Sequence, residues 1–93
     1  MKGRLYKSVW DALEYSPEKA ANMRLRSELM IALRSQVESW DTTQAQAAKR
    51  LRITQPGLND LLRCRVAKFS LETLVTLVGH AGLDVRMKVW AAA

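Results

Sequence analysis

Two short helices with separate start sequences follow one another over residues 43–62, and this arrangement limits the fold more than any other feature. Thr43 precedes an alanine-rich segment, and Gln46 stands three positions later, as in a capping box. Thr54 precedes the second segment, and Pro56 lies in its first turn, where proline favours a helix. The spacing predicts two helices joined by a turn of about three or four residues.

Three further helices are predicted, two before this pair and one after it. Ser8 can cap a short first helix, and Ser16 with Pro17 begins the longest one. Ser70 can cap the last helix, and Gly82 ends it as a left-handed cap. The apolar stripe of the longest helix is predicted at Leu25, Leu29, Leu33, Val37 and Trp40. The buried residues of the last helix are predicted to be Leu71, Leu74, Val75, Leu77 and Val78, with Met23, Met30 and Met87 as core filler.

Residues 83–89 alternate between apolar and charged side chains, which is the period of a half-buried strand. The apolar positions are Leu83, Val85, Met87 and Val89. No second strand is predicted, so the backbone of this strand needs another partner. We expect the same strand of a second copy to pair with it across a two-fold axis. The alternative is a short extended tail that lies on the helices.

These elements together predict an all-α fold of five helices, with a short C-terminal β-strand that pairs across a dimer. The 93 residues are enough for one domain with one modest core. Within it, we assign residues 1–20 to an N-terminal extension, 43–63 to the helix-turn-helix and 83–90 to the strand.

The composition excludes several classes of protein. No apolar run approaches the ~20 residues of a membrane span, and no apolar segment follows Lys2 and Arg4 as in a signal peptide. The single cysteine, Cys64, excludes an internal disulfide and fits a reducing compartment. We therefore expect a protein of the bacterial cytoplasm.

The residue types of catalytic and metal sites are not grouped in this sequence. His80 has no second histidine or paired carboxylate at ligand spacing, and no phosphate-binding loop or nucleophile elbow is present. We expect no metal, no cofactor and no enzymatic activity. His80 is interpreted as structural, and the three tryptophans, Trp10, Trp40 and Trp90, as core or interface residues.

The net charge of +6 is concentrated in the middle of the chain. Residues 41–70 contain six lysines or arginines and only two acidic residues. A basic surface of this kind suits a polyanionic partner. Outside this region, Arg24, Arg26 and Arg34 are interpreted as a solvated helix face.

The segment TQAQAAKRLRITQPGLNDLL, residues 43–62, resembles the helix-turn-helix of the phage-repressor (XRE) family. The resemblance extends to residue 82 and includes Phe69 and Ser70 at the start of the following helix. It implies a phage-repressor-like fold and a nucleoid-associated repressor that binds a palindromic operator in double-stranded DNA as a homodimer. The second helix of the pair would enter the major groove, while the first crosses behind it.

The resemblance also implies which residues contact DNA. Base edges would be read by Gln55, Asn59 and Asp60, because glutamine and asparagine can bond adenine and aspartate can accept from cytosine. The DNA backbone would be contacted by residues within the motif and just after it: Thr43, Gln44, Arg52, Thr54, Arg63, Arg65 and Lys68. Gly57 has no side chain and would permit close approach.

Two positions depart from the pattern of the family. Arg52 stands in the turn where the family usually has glycine, and Cys64 follows the second helix where glycine or asparagine is usual. A left-handed backbone at either position would cost a non-glycine residue ~1–2 kcal/mol. Either the turn geometry differs from that of the family, or the chain tolerates this strain.

Residues 8–33 resemble the leader of a narrower group, the HigA-type antitoxins, through the segments SVWDALE, SPE and ANMRLRSEL. Such regulators are often encoded beside a RelE-like toxin. This resemblance implies the antitoxin of a type II toxin-antitoxin pair, which neutralises the toxin and represses its own operon. Two alternatives are a phage-type repressor without a toxin partner and a protein-interaction module that has lost DNA reading.

Overall fold

A computed structural model describes residues 17–91 of the chain. These residues form four α-helices and one short 3-10 helix: α1 Pro17–Trp40, α2 Gln44–Leu51, α3 Gln55–Leu62, the 3-10 helix Val66–Lys68 and α4 Leu71–His80. The fold is therefore helical, as predicted, and the predicted pair of short helices is α2 and α3. The first of the five predicted helices, together with Ser8, Trp10 and Ser16, lies outside the described residues.

The three predicted helix caps within the described residues are confirmed. The Thr43 hydroxyl accepts a hydrogen bond from the Gln46 amide at 3.2 Å, and the Thr54 hydroxyl accepts one from the Gly57 amide at 3.0 Å. The Ser70 hydroxyl accepts from a backbone amide in the first turn of α4 at 3.1 Å. Each bond satisfies one of the amides that a helix leaves without an internal partner, which explains why the helices begin where they do.

Helices α2, α3 and α4 all end in the same way. After each helix one residue has a left-handed backbone: Arg52 with φ 63°, Cys64 with φ 55° and Gly82 with φ 80°. The amide of each of these residues, and the amide that follows it, donate to carbonyls of the preceding helix turn, as in a Schellman motif. The predicted cap at Gly82 is confirmed. Arg52 and Cys64 adopt the geometry of glycine, so strain is tolerated at both.

One apolar core joins the four helices. α1 packs against α3, α4 and the 3-10 helix, while α2 packs against α3 and α4. The buried residues are Met30, Leu33, Val37, Ala47, Ala48, Leu51, Leu58, Leu61, Phe69, Leu74, Leu77, Val78 and Ala81. The small side chains of Ala47 and Ala48 let neighbouring helices approach α2 closely.

Several apolar residues predicted to be buried are exposed instead. Leu25 and Met23 on α1, Val75 on α4, and Met87 after it all retain a large exposed surface. The buried face of α1 passes through Met30, Leu33 and Val37. Continued towards the N-terminus, this face passes through Arg26, and Leu25 lies next to it. Trp90 is also exposed, whereas the half-buried Trp40 packs against the core.

The predicted C-terminal strand is absent from the described residues, where the segment after Gly82 has no regular secondary structure. A strand requires a hydrogen-bonded neighbour, and residues 17–91 contain no second strand to provide one. Leu83 packs against the core, whereas Val85, Met87 and Val89 are exposed. The alternating pattern of this segment does not produce a strand within the described residues. Pairing of the segment with a second copy stays a prediction.

Candidate nucleic-acid interface

Helix α3 presents its N-terminal turn to solvent while its opposite face is fixed in the core. Leu58 and Leu61 have no exposed surface, so they anchor the helix against α1 and α2. Gln55 and the neighbouring Pro56 are exposed, and Asn59 is half-buried. The polar groups predicted to read bases therefore lie on an accessible helix end and not beneath α1.

Helix α2 and the turn after it lie next to α3. Thr43 and Gln44 are exposed at the start of α2, where unpaired backbone amides favour an anion. Arg52 is exposed in the turn between the helices, and its left-handed backbone completes the end of α2. Thr54 is exposed too, although its hydroxyl already accepts a hydrogen bond as the cap of α3.

The loop after α3 carries the remaining predicted backbone contacts. Arg63 and Lys68 are exposed, and Arg65 is paired with Asp60. The distance from Arg65 Nη1 to Asp60 Oδ1 is 3.6 Å, with side chains that are 49% and 26% exposed. Asp60, like Asn59, is half-buried, and its carboxylate faces the loop.

The match to known protein families agrees with this geometry. A family model described as a helix-turn-helix domain matches residues 12–90. The chain belongs to this family. The helix-turn-helix domain places its second helix in the major groove of DNA, so the family is one of DNA-binding regulators. A comparison with curated proteins finds no match to the chain.

Within this helix-turn-helix domain, Arg26 has a role that the sequence did not reveal. Its Nη1 donates to the carbonyl oxygens of Val66 at 3.1 Å and Phe69 at 3.2 Å, both in the loop after α3. Arg26 is half-buried, so the prediction of a solvated face is wrong for this residue. Arg26, Met30 and Leu33 are spaced four and three residues apart, which places them on one helix face. This spacing could have indicated the burial of Arg26.

Two further hydrogen bonds fasten helix ends of the helix-turn-helix domain. The Gln36 side chain donates from Nε2 to the carbonyl oxygen of Ala81 at 3.0 Å, which ties α1 to the end of α4. His80 Nδ1 lies 3.0 Å from the carbonyl oxygen of Leu51, and in the tautomer protonated at Nδ1 it donates to that oxygen. His80 therefore links α4 to the end of α2, which accords with a structural role.

Charged side chains on the outer face of the domain make weaker contacts. Arg34 Nε lies 3.3 Å from Glu38 Oε2, and this hydrogen bond raises the pKa of the Arg34 guanidinium, with the Cys64 thiol adding to the effect. Both charged side chains are at least half exposed, so the pair adds little stability. The Arg50 guanidinium lies 4.0 Å from the centre of the Trp40 ring, a cation-π contact that joins α1 and α2.

Two negative observations apply to residues 17–91. No group of three or more His, Cys, Asp or Glu side chains is arranged to hold a metal ion in this region. None of its helices has the combination of length and apolar character that a bilayer crossing requires.

Proposed function

We propose that this helix-turn-helix domain is a transcriptional repressor that binds a specific palindromic sequence in double-stranded DNA as a homodimer. The observation that carries the proposal is the exposed N-terminal turn of α3 on a helix anchored by Leu58 and Leu61. A helix fixed on one side and free at its N-terminal end can be inserted into the major groove, whose width admits one helix. Occupation of an operator then blocks transcription from it.

Gln55 and Asn59 are the proposed base-reading residues. Their amides can each make two hydrogen bonds to adenine in the major groove. They are separated by one turn of α3, so both point to the same side of the helix. Asp60 was predicted to accept from cytosine, but its carboxylate is paired with Arg65. We propose that its main contribution is to hold Arg65 beside α3.

The proposed phosphate contacts lie in the segments before and after α3 in the chain. Thr43 and Gln44 lie at the start of α2 and Arg52 follows it, whereas Arg63, Arg65 and Lys68 follow α3. The first helix of such a pair crosses the DNA backbone, and the flanking cations neutralise phosphates without reading sequence. This arrangement accounts for the concentration of positive charge in residues 41–70.

An apolar groove is the proposed surface for the second copy. It has a volume of about 160 Å³ and lies between α1, α4 and the C-terminal segment. Its apolar lining consists of Leu25, Leu29, Leu71, Val75, Val85 and Met87. Glu28 and Arg86 contribute one charge of each sign to the same groove. A surface with both signs is complementary to itself under a two-fold rotation, which favours a second copy over a strongly charged partner.

Selection of a bound sequence from random duplex DNA, followed by titration of two variants, tests the proposal. Gln55→Ala is expected to relax the preference for one base pair by ~1–3 kcal/mol. Arg63→Ala is expected to weaken binding to every sequence alike and to reduce the salt dependence by about one phosphate contact. If both variants alter sequence preference in the same way, the assigned roles are wrong.

The wild-type protein decides between this function and the alternative of an interaction module. A repressor selects related sequences with two half-sites about one helical turn apart, near 34 Å. Failure to retard any duplex at low salt and micromolar protein would contradict the DNA-binding function itself.

A narrower role as an antitoxin is proposed from the resemblance of residues 8–33 to HigA-type leaders. Under this proposal the protein binds a RelE-like toxin and represses the operon that encodes both. Co-expression of this chain with the product of the neighbouring gene tests it, since an antitoxin co-purifies with its toxin and restores growth. A neighbouring gene of another kind would leave the phage-type repressor as the proposal.

A further inference from the structure

The loop over residues 63–69 has little regular structure, yet it carries three of the proposed phosphate contacts. The 3-10 helix Val66–Lys68 is its only regular element, and no side chain caps that helix. These cations can bind phosphates only if the loop is held in a fixed position relative to α3.

Two contacts from outside the loop hold it in place. Asp60 on α3 pairs with the Arg65 side chain, and both groups are partly exposed to solvent. From the other side, Arg26 on α1 donates to the carbonyl oxygens at Val66 and Phe69, which are the two ends of the 3-10 segment. One guanidinium nitrogen therefore fixes both ends of that short helix to the longest helix of the domain.

The partial burial of the Arg26 guanidinium favours these bonds. Its Nε is buried and has no hydrogen-bond partner among the described residues. A surface arginine can keep its whole guanidinium in water at no cost, whereas a buried N–H without a partner opposes folding. The charge-assisted bonds from Nη1 offset that cost and keep the side chain against the loop.

We infer that Arg26 is a positioning residue for DNA binding, which holds the loop so that Arg65 and Lys68 reach phosphates. The inference rests on the proposed DNA-binding function and adds to it a residue on α1 outside the helix-turn-helix. Arg26 acts through the loop and not by touching DNA. The loss of Arg26 therefore removes the phosphate contacts of other residues.

Salt dependence of binding to a mixed-sequence duplex tests the inference, because the slope counts phosphate contacts. In Arg26→Met the slope is expected to be less steep by about two contacts, and affinity at low salt to fall about tenfold. Arg26→Lys keeps the charge but loses the paired geometry, and a reduced slope in this variant separates positioning from charge. Arg24→Met removes an equal charge from an exposed position on the same helix, and its slope is expected to match that of the wild type.

A second measurement needs no DNA. Amide hydrogen exchange at Lys68 and Phe69, whose amides bond within the loop, is expected to be about tenfold faster in Arg26→Met than in Arg24→Met. If Arg26→Met does not fold, Arg26→Lys decides by both measurements. An unchanged slope together with unchanged exchange overturns the inference. If the wild type binds no DNA, the proposed function fails, and unchanged exchange then also rejects the role of Arg26 in holding the loop.

Discussion

Arg52, Cys64 and Gly82 occupy the same backbone conformation at three successive helix ends, although only one of them is glycine. In an L-residue the left-handed conformation brings Cβ close to the following carbonyl oxygen. Arg52 adds a positive charge in exchange, at the exposed turn between α2 and α3. Cys64 is half-buried and adds no charge, so no new interaction with DNA accompanies the strain at this position.

Replacement of Cys64 by glycine is therefore expected to stabilise the protein. Relief of strain contributes ~1–2 kcal/mol, and the greater freedom of glycine in the unfolded chain offsets ~0.5–1 kcal/mol of it. We expect a net gain of about 0.5–1 kcal/mol in the free energy of unfolding, measured by urea denaturation with circular dichroism. Cys64→Ala is the control, since alanine removes the thiol and keeps the strain. An equal gain in the control would show that the thiol, and not the backbone, is responsible.

Helix α3 is short and must hold its first turn in position, so its cap is important for the proposed DNA contacts. The Thr54 hydroxyl satisfies the Gly57 amide, and a Cβ on residue 57 would lie 3.1 Å from that hydroxyl oxygen. Gly57 thus keeps the cap free of a close contact. It also leaves no side chain at that point of the helix surface. The cap and the small residue support each other.

Thr54→Ala is expected to lower the free energy of unfolding by ~1 kcal/mol, because an amide at the start of α3 loses its partner. Thr54→Ser keeps the hydroxyl and serves as the control. Thermal unfolding without DNA measures the effect and separates the cap from any contact of Thr54 with phosphate. Equal stability of Thr54→Ala and the wild type would mean that the cap contributes nothing to α3.

The helix boundaries could be predicted from sequence because their causes are local. Thr43, Thr54 and Ser70 bond amides within the next turn, and Gly82 bonds the turn before it. Such bonds depend on few neighbouring residues, so the residue type and its position are sufficient.

The buried faces were harder to predict because they depend on what packs against each helix. On α1 the predicted stripe through Leu25 and Leu29 is shifted by one position in the sequence from the observed face through Arg26 and Met30. The sequence favoured the apolar stripe, yet the loop after α3 covers Arg26, whose guanidinium bonds loop carbonyls. The pairing of Asp60 with Arg65 was missed for the same reason, since it depends on the path of the loop.

At the scale of the whole molecule, the exposed apolar residues and the proposed DNA contacts belong to different parts of the chain. Leu25, Val75, Val85 and Met87 are exposed and line one groove, whereas the cations of the proposed DNA surface follow α2 and α3. A protein with a net charge of +6 repels its own copies unless a local surface offsets that repulsion. The groove, with its apolar lining and one charge of each sign, can do so.

Charge exchange in this groove distinguishes a symmetric dimer from any other occupant. In the proposed two-fold interface we expect Glu28 of one copy to face Arg86 of the other, and Glu28 makes no salt bridge within the described residues. Glu28→Arg and Arg86→Glu are each expected to weaken self-association, measured by analytical ultracentrifugation, because each places like charges opposite one another. Ile31→Asp, at an exposed apolar position of α1 outside the groove, is the control and is expected to associate like the wild type.

An equimolar mixture of the two charge variants decides the question. In the mixed dimer, each position 28 meets a position 86 of opposite sign, so association is expected to return towards that of the wild type. A contact between Glu28 and Arg86 within one chain would give no such recovery, because each variant would carry its own like pair. Recovery only in the mixture therefore shows that position 28 of one copy meets position 86 of another. Sedimentation that stops at the dimer then identifies a closed two-fold pair, which is also the symmetry that a palindromic operator demands.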